Sequence, residues 1–184
     1  DNTCASLIAQ TNIPLGGDTS VIYYRNDTGE TSTINASDVS ANLSSATMTV
    51  NAGPDHLRVT GSIAPRSGAC QAYQVKSYDF NNGLANALAN VSVNLSDGLA
   101  NGEFYSDAGC TTGVTAVSLA VATSSVTFYY KDNVSEDVTL SIADATAELL
   151  PDSLNIAIGP DHLIVAANST FKSGTCQTVT VTSA

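Results

Sequence analysis

The chain has 184 residues, 43% of them hydrophobic, and carries a formal charge of −11. With 6 Lys and Arg against 17 Asp and Glu it lacks the basic stripe from which phosphate contacts release counterions, which excludes nucleic acid as a partner. The apolar content can fill a core, which excludes wholesale disorder, and the length suits one or two domains. The longest apolar run, Val114–Ala122, is interrupted by Thr115 and Ser118 and falls far short of a transmembrane segment. Residue 1 opens on Asp-Asn-Thr-Cys, without the charged start and apolar stretch of a secretion signal, so the chain is expected to be a soluble mature product or fragment.

In chain order, the pattern has period two. Tyr73 and Val75 alternate with polar neighbours, and Asp79–Gly83 follows as a turn. Val91, Val93 and Leu95 alternate with Asn90, Ser92, Asn94 and Ser96 before the turn Ser96–Gly102. Phe128 and Tyr130 share one face and Tyr129 takes the other, ahead of the turn Lys131–Asp137. Val138, Leu140 and Ile142 alternate with polar residues, as do Leu154, Ile156 and Ile158. Between these two runs, Ala145–Leu150 is predicted to make at most a helical turn before Pro151. Alternation of this kind marks half-buried strands, and the Asn/Asp/Gly/Ser clusters mark turns. The expected class is all-β, a sandwich of roughly seven strands per unit.

The decisive feature is an internal repeat. A shift of 106 residues superposes Cys4 on Cys110, Tyr23-Tyr24 on Tyr129-Tyr130, and Gly53-Pro54-Asp55-His56-Leu57 on Gly159-Pro160-Asp161-His162-Leu163. It also places Ser67-Gly68-Ala69-Cys70-Gln71 on Ser173-Gly174-Thr175-Cys176-Gln177, and in all 21 of 78 aligned positions are identical without a gap. Random matching would give about one identity in fifteen for average composition. A unit of 106 residues has the size of a small domain rather than a solenoid turn.

Two frames divide the chain. One takes residues 1–78 and 107–184 as units and leaves 79–106, with the strand in Ala87–Ser96, between them. The other begins each unit at the Gly-Pro-Asp-His-Leu corner, where Pro fixes φ and restricts the residue before it. Residues 55–159 are then one complete module, 1–54 the C-terminal strands of a preceding one and 160–184 the N-terminal strands of a following one. The module joints are Gly53, Pro54, Asp55 and His56, and Gly159, Pro160, Asp161 and His162.

Asp79-Phe80-Asn81-Asn82-Gly83, followed by Ala89-Asn90-Val91-Ser92-Val93-Asn94-Leu95, resembles the opening half of a bacterial immunoglobulin-like repeat of the invasin and intimin type. Gly102–Cys110 and Val126–Asp132 resemble a cysteine-containing branch of those repeats found in large bacterial surface proteins. The resemblance covers most of 55–159 and implies tandem modules on an extracellular stalk or adhesin, without catalytic residues or cofactors.

The four cysteines allow three connectivities, and their spacings of 66, 40 and 66 match no zinc or redox motif. Structural disulfides are expected, and with them an oxidising, extracellular or cell-surface location. Cys70 pairs with Cys110 in the frame that the resemblance favours, leaving Cys4 and Cys176 for neighbouring modules. In the other frame Cys4 pairs with Cys70 and Cys110 with Cys176. Loop-closure entropy does not separate them, at about 4 kcal/mol for either loop.

If the chain is a whole subunit, residues 160–184 of one copy complete residues 1–54 of the next by strand addition, a Cys176–Cys4 disulfide locks the joint, and a filament grows. The other reading is a fragment of a longer array, whose neighbouring modules belong to the same chain. Asp55 and Asp161 are weak Ca²⁺ candidates, with Asp38, Asp79 and Asp144 further oxygen donors, but no calcium-loop motif is present. His56 and His162 sit in identical repeat contexts and read as structural, and no Ser-His-Asp set is visible. Asn26, Asn35, Asn42, Asn90, Asn94, Asn133 and Asn168 are glycosylation candidates, Asn90 and Asn94 on the outward face of their strand. The expected function is a non-enzymatic shaft of a surface fibre or adhesin. The alternative is a receptor- or glycan-binding module, for which Phe104 with Tyr105 is the aromatic candidate.

Overall fold

A computed structural model of the chain describes Cys4, residues 10–98 and residues 101–183. Residues 1–3 and 5–9 of the first predicted fragment, Leu99 and Ala100 of the predicted turn Ser96–Gly102, and Ala184 lie outside the described residues. The described residues hold only strands and turns, with no helix. In order they are β1 (Thr31–Ala36), β2 (Ala46–Asn51), β3 (His56–Gly61), β4 (Gln71–Tyr78), β5 (Val91–Ser96), β6 (Glu103–Tyr105), β7 (Ala116–Leu119), β8 (Ser125–Lys131), β9 (Asp137–Asp144), β10 (Asp152–Ala157), β11 (Leu163–Ala166) and β12 (Thr180–Ser183).

β3 to β10 form two four-stranded antiparallel sheets, β3-β4-β8-β6 and β10-β9-β5-β7. The period-two pattern explains why they face each other. Leu57, Val59, Tyr73, Val75, Phe128 and Tyr130 point inward from the first sheet, and Val93, Leu95, Leu119, Val138, Leu140, Ile142 and Ile156 from the second. An aromatic stack crosses the first sheet: Tyr73 lies opposite Phe128 in register, with ring centroids 5.7 Å apart, and Phe104 sits 5.1 Å from Tyr130. This is a β-sandwich of eight strands, where the periodicity alone suggests seven.

Two local expectations are corrected. Ala145–Leu150 makes no helical turn: the Asp144 carboxylate accepts the amides of Thr146, Glu148 and Leu149 at 3.0, 3.0 and 3.2 Å, and Ala147 turns left-handed at φ 58°. A helix starting here would direct the Glu148 and Leu149 amides to main-chain carbonyls four residues back and keep a right-handed φ throughout. Phe104 is not an exposed loop aromatic but part of the core, because the short strand β6 pairs with β8 and turns its ring inward.

β3 and β10 meet edge to edge in parallel, and their ends mark two poles. At one, the Leu57 amide donates to the Leu150 carbonyl at 2.9 Å and the Leu150 amide to that of Asp55 at 3.1 Å. At the other, the Gly159 amide donates to the Pro65 carbonyl at 2.8 Å and the Ser67 amide to that of Gly159 at 2.9 Å. The chain therefore enters the sandwich at one pole and leaves at the other, about 30 Å away for nine or ten extended residues.

The remaining strands form two hairpins, β1–β2 before the sandwich and β11–β12 after it. Their registers repeat those inside the sandwich. Thr31 pairs with Asn51 as Asp137 pairs with Ala157, and Leu163 pairs with Ser183 as Leu57 pairs with Ser77, each a shift of 106 on both strands.

Candidate assembly sites

A strand that lacks an opposing sheet leaves its inward face in water. Leu57 and Val75 are 1% and 0% exposed, whereas their repeat counterparts Leu163 and Val181 are 69% and 58% exposed. Before the sandwich, Met48 is exposed, and so are Ile22 and Tyr24, the counterparts of the buried Phe128 and Tyr130. Residues 19–25 correspond to β8 yet form no strand, since no counterpart of β4 lies beside them. Exposed large apolar side chains of this kind make the hairpins candidate contact surfaces.

The structure joins Cys70 to Cys110, with Cα atoms 5.9 Å apart, and holds Cys4 and Cys176 as free thiols. Two backbone features recur between the free and the bonded cysteines. Cys4 and Cys110 both take positive φ, 53° and 49°. Gly174 and Gly68 do likewise, at 79° and 73°, each within a tight turn whose amide-to-carbonyl bond, Thr175 to Lys172 and Ala69 to Arg66, is 3.2 Å.

The aspartates first considered for calcium have other work. Asp38, Asp107 and Asp144 each accept the backbone amides two, four and five residues on, and the residue three on, Ala41, Cys110 or Ala147, has positive φ. Asp79 accepts those of Asn81 and Gly83 around Asn82, also at positive φ. A left-handed non-glycine residue costs on the order of 1 kcal/mol, and a carboxylate that satisfies the surrounding amides offsets it. The signal was present in the repeat, where Asp38, Ala41 and Leu43 match Asp144, Ala147 and Leu149. Asp55 bonds the His56 ring nitrogen at 3.1 Å, and Asp161 lies exposed 3.6 Å from that of His162. Among the described residues no three acidic, His or Cys side chains gather around a common point.

These turns make stability acid-sensitive. The Thr112 amide holds the Asp107 carboxyl below its ordinary pKa, and the Gly29 and Gly83 amides do so for Asp79. Burial pushes Asp144 upward, but the hydrogen bonds from Thr146, Leu149 and Glu148 outweigh it and the net shift is downward. A depressed native pKa contributes stability that is fully present above the unfolded value of about 3.9 and is lost as pH falls through the native one. The urea midpoint should therefore stay level from about pH 7 to 5 and drop below about pH 4, and Asp107→Asn with Asp144→Asn should flatten the drop. A midpoint that already falls between pH 7 and 5 would overturn this assignment to the aspartate turns.

Asp79 also reaches across the entry pole. Its second carboxylate oxygen accepts the Gly29 amide at 3.0 Å, while Arg25 lies over the Phe80 ring at 4.8 Å. A Cβ on Gly29 would sit 2.4 Å from that of Ala85, and one on Gly53 would sit 2.9 Å from the Leu88 side chain. The turn before β1 is thus seated on the loop after β4. Gly29→Ala should unseat it at a cost of about 1–3 kcal/mol. The expected reading is faster protease cleavage between Thr28 and Asp55, with the sandwich melting within about 2 °C of its original temperature; unchanged cleavage would mean the contact does not hold the segment.

The joint residues are part of this architecture: Asp55 donates its amide to the Tyr78 carbonyl at 2.7 Å, and the His56 ring stacks on Tyr78 at 5.7 Å. Pro54 and Gly53 precede β3, and Gly159 and Pro160 follow β10 at the exit pole. Of the glycosylation candidates, Asn35, Asn42, Asn90, Asn94, Asn133 and Asn168 are exposed. Asn26 is half-buried, its amide nitrogen bonded to Ser32 at 3.0 Å, and Asn90 accepts the Val121 amide at 2.8 Å. Tyr105 is half-buried and donates its hydroxyl to Glu103. Sequence reasoning missed the buried polar group at the exit pole, where the Tyr130 hydroxyl lies 2.9 Å from Asp97 and 3.3 Å from Asp132. Burial raises the Tyr130 pKa, and so do the two carboxylates. Nothing in the strand pattern marks that group.

No family model matches the chain, and no curated protein matches it. Among solved structures it is similar to the PKD domain of an M14-like peptidase from Thermoplasmatales archaeon SCGC AB-540-F20, at 13% identity and a TM-score of 0.39, over 59% of this chain and 98% of that one. It is similar to the adhesin InvE of Yersinia pseudotuberculosis at 13% identity and a TM-score of 0.44, over 65% of this chain and 36% of that one. A cohesin module of a Clostridium perfringens family 33 glycoside hydrolase matches at 9% identity and a TM-score of 0.35, over 58% of this chain and 98% of that one. Among the described residues no helix is long and apolar enough to cross a membrane.

Proposed function

We propose that this chain is a non-enzymatic structural part of an extracellular surface assembly, a stretch of tandem immunoglobulin-like modules that forms the shaft of a fibre or adhesin. The observation that carries this reading is the shared register: the end hairpins pair as the matching strands of the central sandwich pair, 106 residues apart. Residues 1–54 then close a preceding module, 55–159 are a complete one and 160–184 open a following one, each end being completed head to tail by a neighbour. Entry and exit at opposite poles support units running in series rather than folding back. The Cys70–Cys110 disulfide supports an oxidising location. The charge of −11 supports a solvated surface whose neighbouring copies repel sideways. Partners in this reading are adjoining modules or copies and, at the tip of such a shaft, a cell-surface protein or glycan.

Antibodies against the central sandwich test the reading on cells that make the protein. Labelling of intact cells along thin projections is the expected result. Labelling only after permeabilisation would overturn it.

A further inference from the structure

We infer that Asn101-Gly102 is a site of self-modification, at which the chain converts its own asparagine to aspartate and isoaspartate. The Gly102 nitrogen attacks the carbon of the Asn101 side-chain amide, a five-membered imide closes and ammonia leaves. Water then opens the ring at either carbonyl. One water enters and one ammonia departs, so no oxidant, cofactor or partner is needed. The chemistry goes beyond the shaft reading and does not depend on it.

Two Asn-Gly pairs occur in the chain, Asn82-Gly83 and Asn101-Gly102. Glycine suits the reaction because it has no side chain to hold its nitrogen away from the amide carbon. Both asparagines are exposed, so access to water does not separate the pairs. Hydrogen bonding does. The Gly83 amide donates to the Asp79 carboxylate at 2.7 Å, and the Gly83 carbonyl accepts the Asp79 amide at 2.8 Å. Asn82 is held as well, its amide donating to the Asp79 carbonyl at 3.0 Å and its side-chain oxygen accepting from Arg58. Attack by the Gly83 nitrogen must first break a bond to a charged acceptor, one of the stronger kinds of hydrogen bond.

The second pair has no such lock. Along β6 alternate residues turn their main chain away from β8: the Phe104 carbonyl accepts the Val114 amide at 2.8 Å, and the Ser106 amide donates to the Thr112 carbonyl at 3.0 Å. Gly102 continues that row, and among the described residues nothing accepts its amide. A groove lined by Gly102, Phe104, Gly113 and Thr115 brings water to the same side. The glycine cannot be exchanged, since a Cβ there would run into the Tyr130 hydroxyl and the Asp97 carboxylate. Core packing thus demands the residue that makes Asn101 reactive. Isoaspartate adds one main-chain carbon and one carboxylate beside Tyr130, Asp97 and Asp132. Loss of ammonia makes the step irreversible, so the product accumulates with the age of the protein.

The test incubates the purified 184-residue chain at mildly alkaline pH and follows each Asn-Gly peptide by tandem mass spectrometry, with fragmentation that distinguishes isoaspartate. In the folded chain Asn101 should convert at least about tenfold faster than Asn82. In urea the two rates should converge, because the local sequence is then all that matters. Asp79→Ala frees the Gly83 amide and should speed Asn82 while leaving Asn101 as it was. Asn101→Gln should end conversion at that position, since its longer side chain cannot close a five-membered ring. Equal rates in the folded chain, or an intact Asn101 under conditions that convert the urea-unfolded chain, would overturn the inference. Surface labelling tests the shaft reading separately, and neither result decides the other.

Discussion

Phe128→Ala should lower the stability of the central sandwich by about 3–5 kcal/mol, the largest loss expected from any single side chain in the molecule. Phe128 is fully buried, stacks on Tyr73 at 5.7 Å and tilts against Phe104 at 5.9 Å, so truncation removes the middle of a three-ring row. The loss has a transfer part and a cavity part, and the aromatic contacts add about 0.5–1.5 kcal/mol per pair. The hole will not collapse easily, because Tyr73 is tethered by its hydroxyl to the Ser62 carbonyl at 3.0 Å, and a Cβ on Gly61 would already touch its ring. For a sandwich of this size the melting temperature should fall by roughly 20 °C. Tyr129→Ala, one residue along on the other face and half-buried, should cost about 1 kcal/mol or less. Thermal unfolding followed by circular dichroism compares the two. Equal shifts would show that the alternation along β8 does not set which face is buried.

Removing the disulfide should be the next largest effect. Cys70→Ser with Cys110→Ser is expected to cost about 2–4 kcal/mol, since the crosslink spans 40 residues and the chain-entropy value for such a loop is about 4 kcal/mol. That corresponds to a fall of about 10–20 °C in melting temperature, which reductant should reproduce on the unaltered chain. Cys4→Ser with Cys176→Ser should leave the melting of the central sandwich in place. The comparison discriminates between connectivities: if Cys4→Ser destabilised the sandwich as much as Cys110→Ser, the bond would run from Cys4 to Cys70.

The strand content of this protein is legible in its sequence because half-burial imposes period two on side chains wherever a sheet has one wet face. Val138, Leu140 and Ile142 show that pattern as plainly in the chain as in the core. β6 is not legible, because three residues are too few for a period, and Glu103-Phe104-Tyr105 between two turns reads as a loop tip. Its partner β8 lies more than 20 residues away, and only that pairing turns Phe104 inward. The turn locks are legible in part. Asp144-Ala-Thr-Ala-Glu-Leu carries good helix formers, and propensity favours a helical turn there. The carboxylate wins locally by capturing three amides at once, a choice of side-chain rotamer and φ that composition does not encode.

The candidate assembly surfaces divide in the same way. The 106-residue offset that relates the ends is a property of the sequence, and the match of Cys4 to Cys110 and Cys70 to Cys176 follows from it without coordinates. That Leu163, Val181 and Met48 lie in water depends on which strands are present to cover them, and that is a tertiary fact.

By itself, then, the sequence determined the β class, the position of most turns, the repeat and the absence of a basic surface, since each rests on local periodicity or on composition. Tertiary structure alone decided the order of strands in the two sheets, the pairing of Cys70 with Cys110, the burial of Phe104 and the two-pole path of the chain. Those depend on contacts between residues far apart in the chain. Loop-closure entropy varies too slowly with length to choose among such contacts, and only the simultaneous burial of both sheet faces selects one.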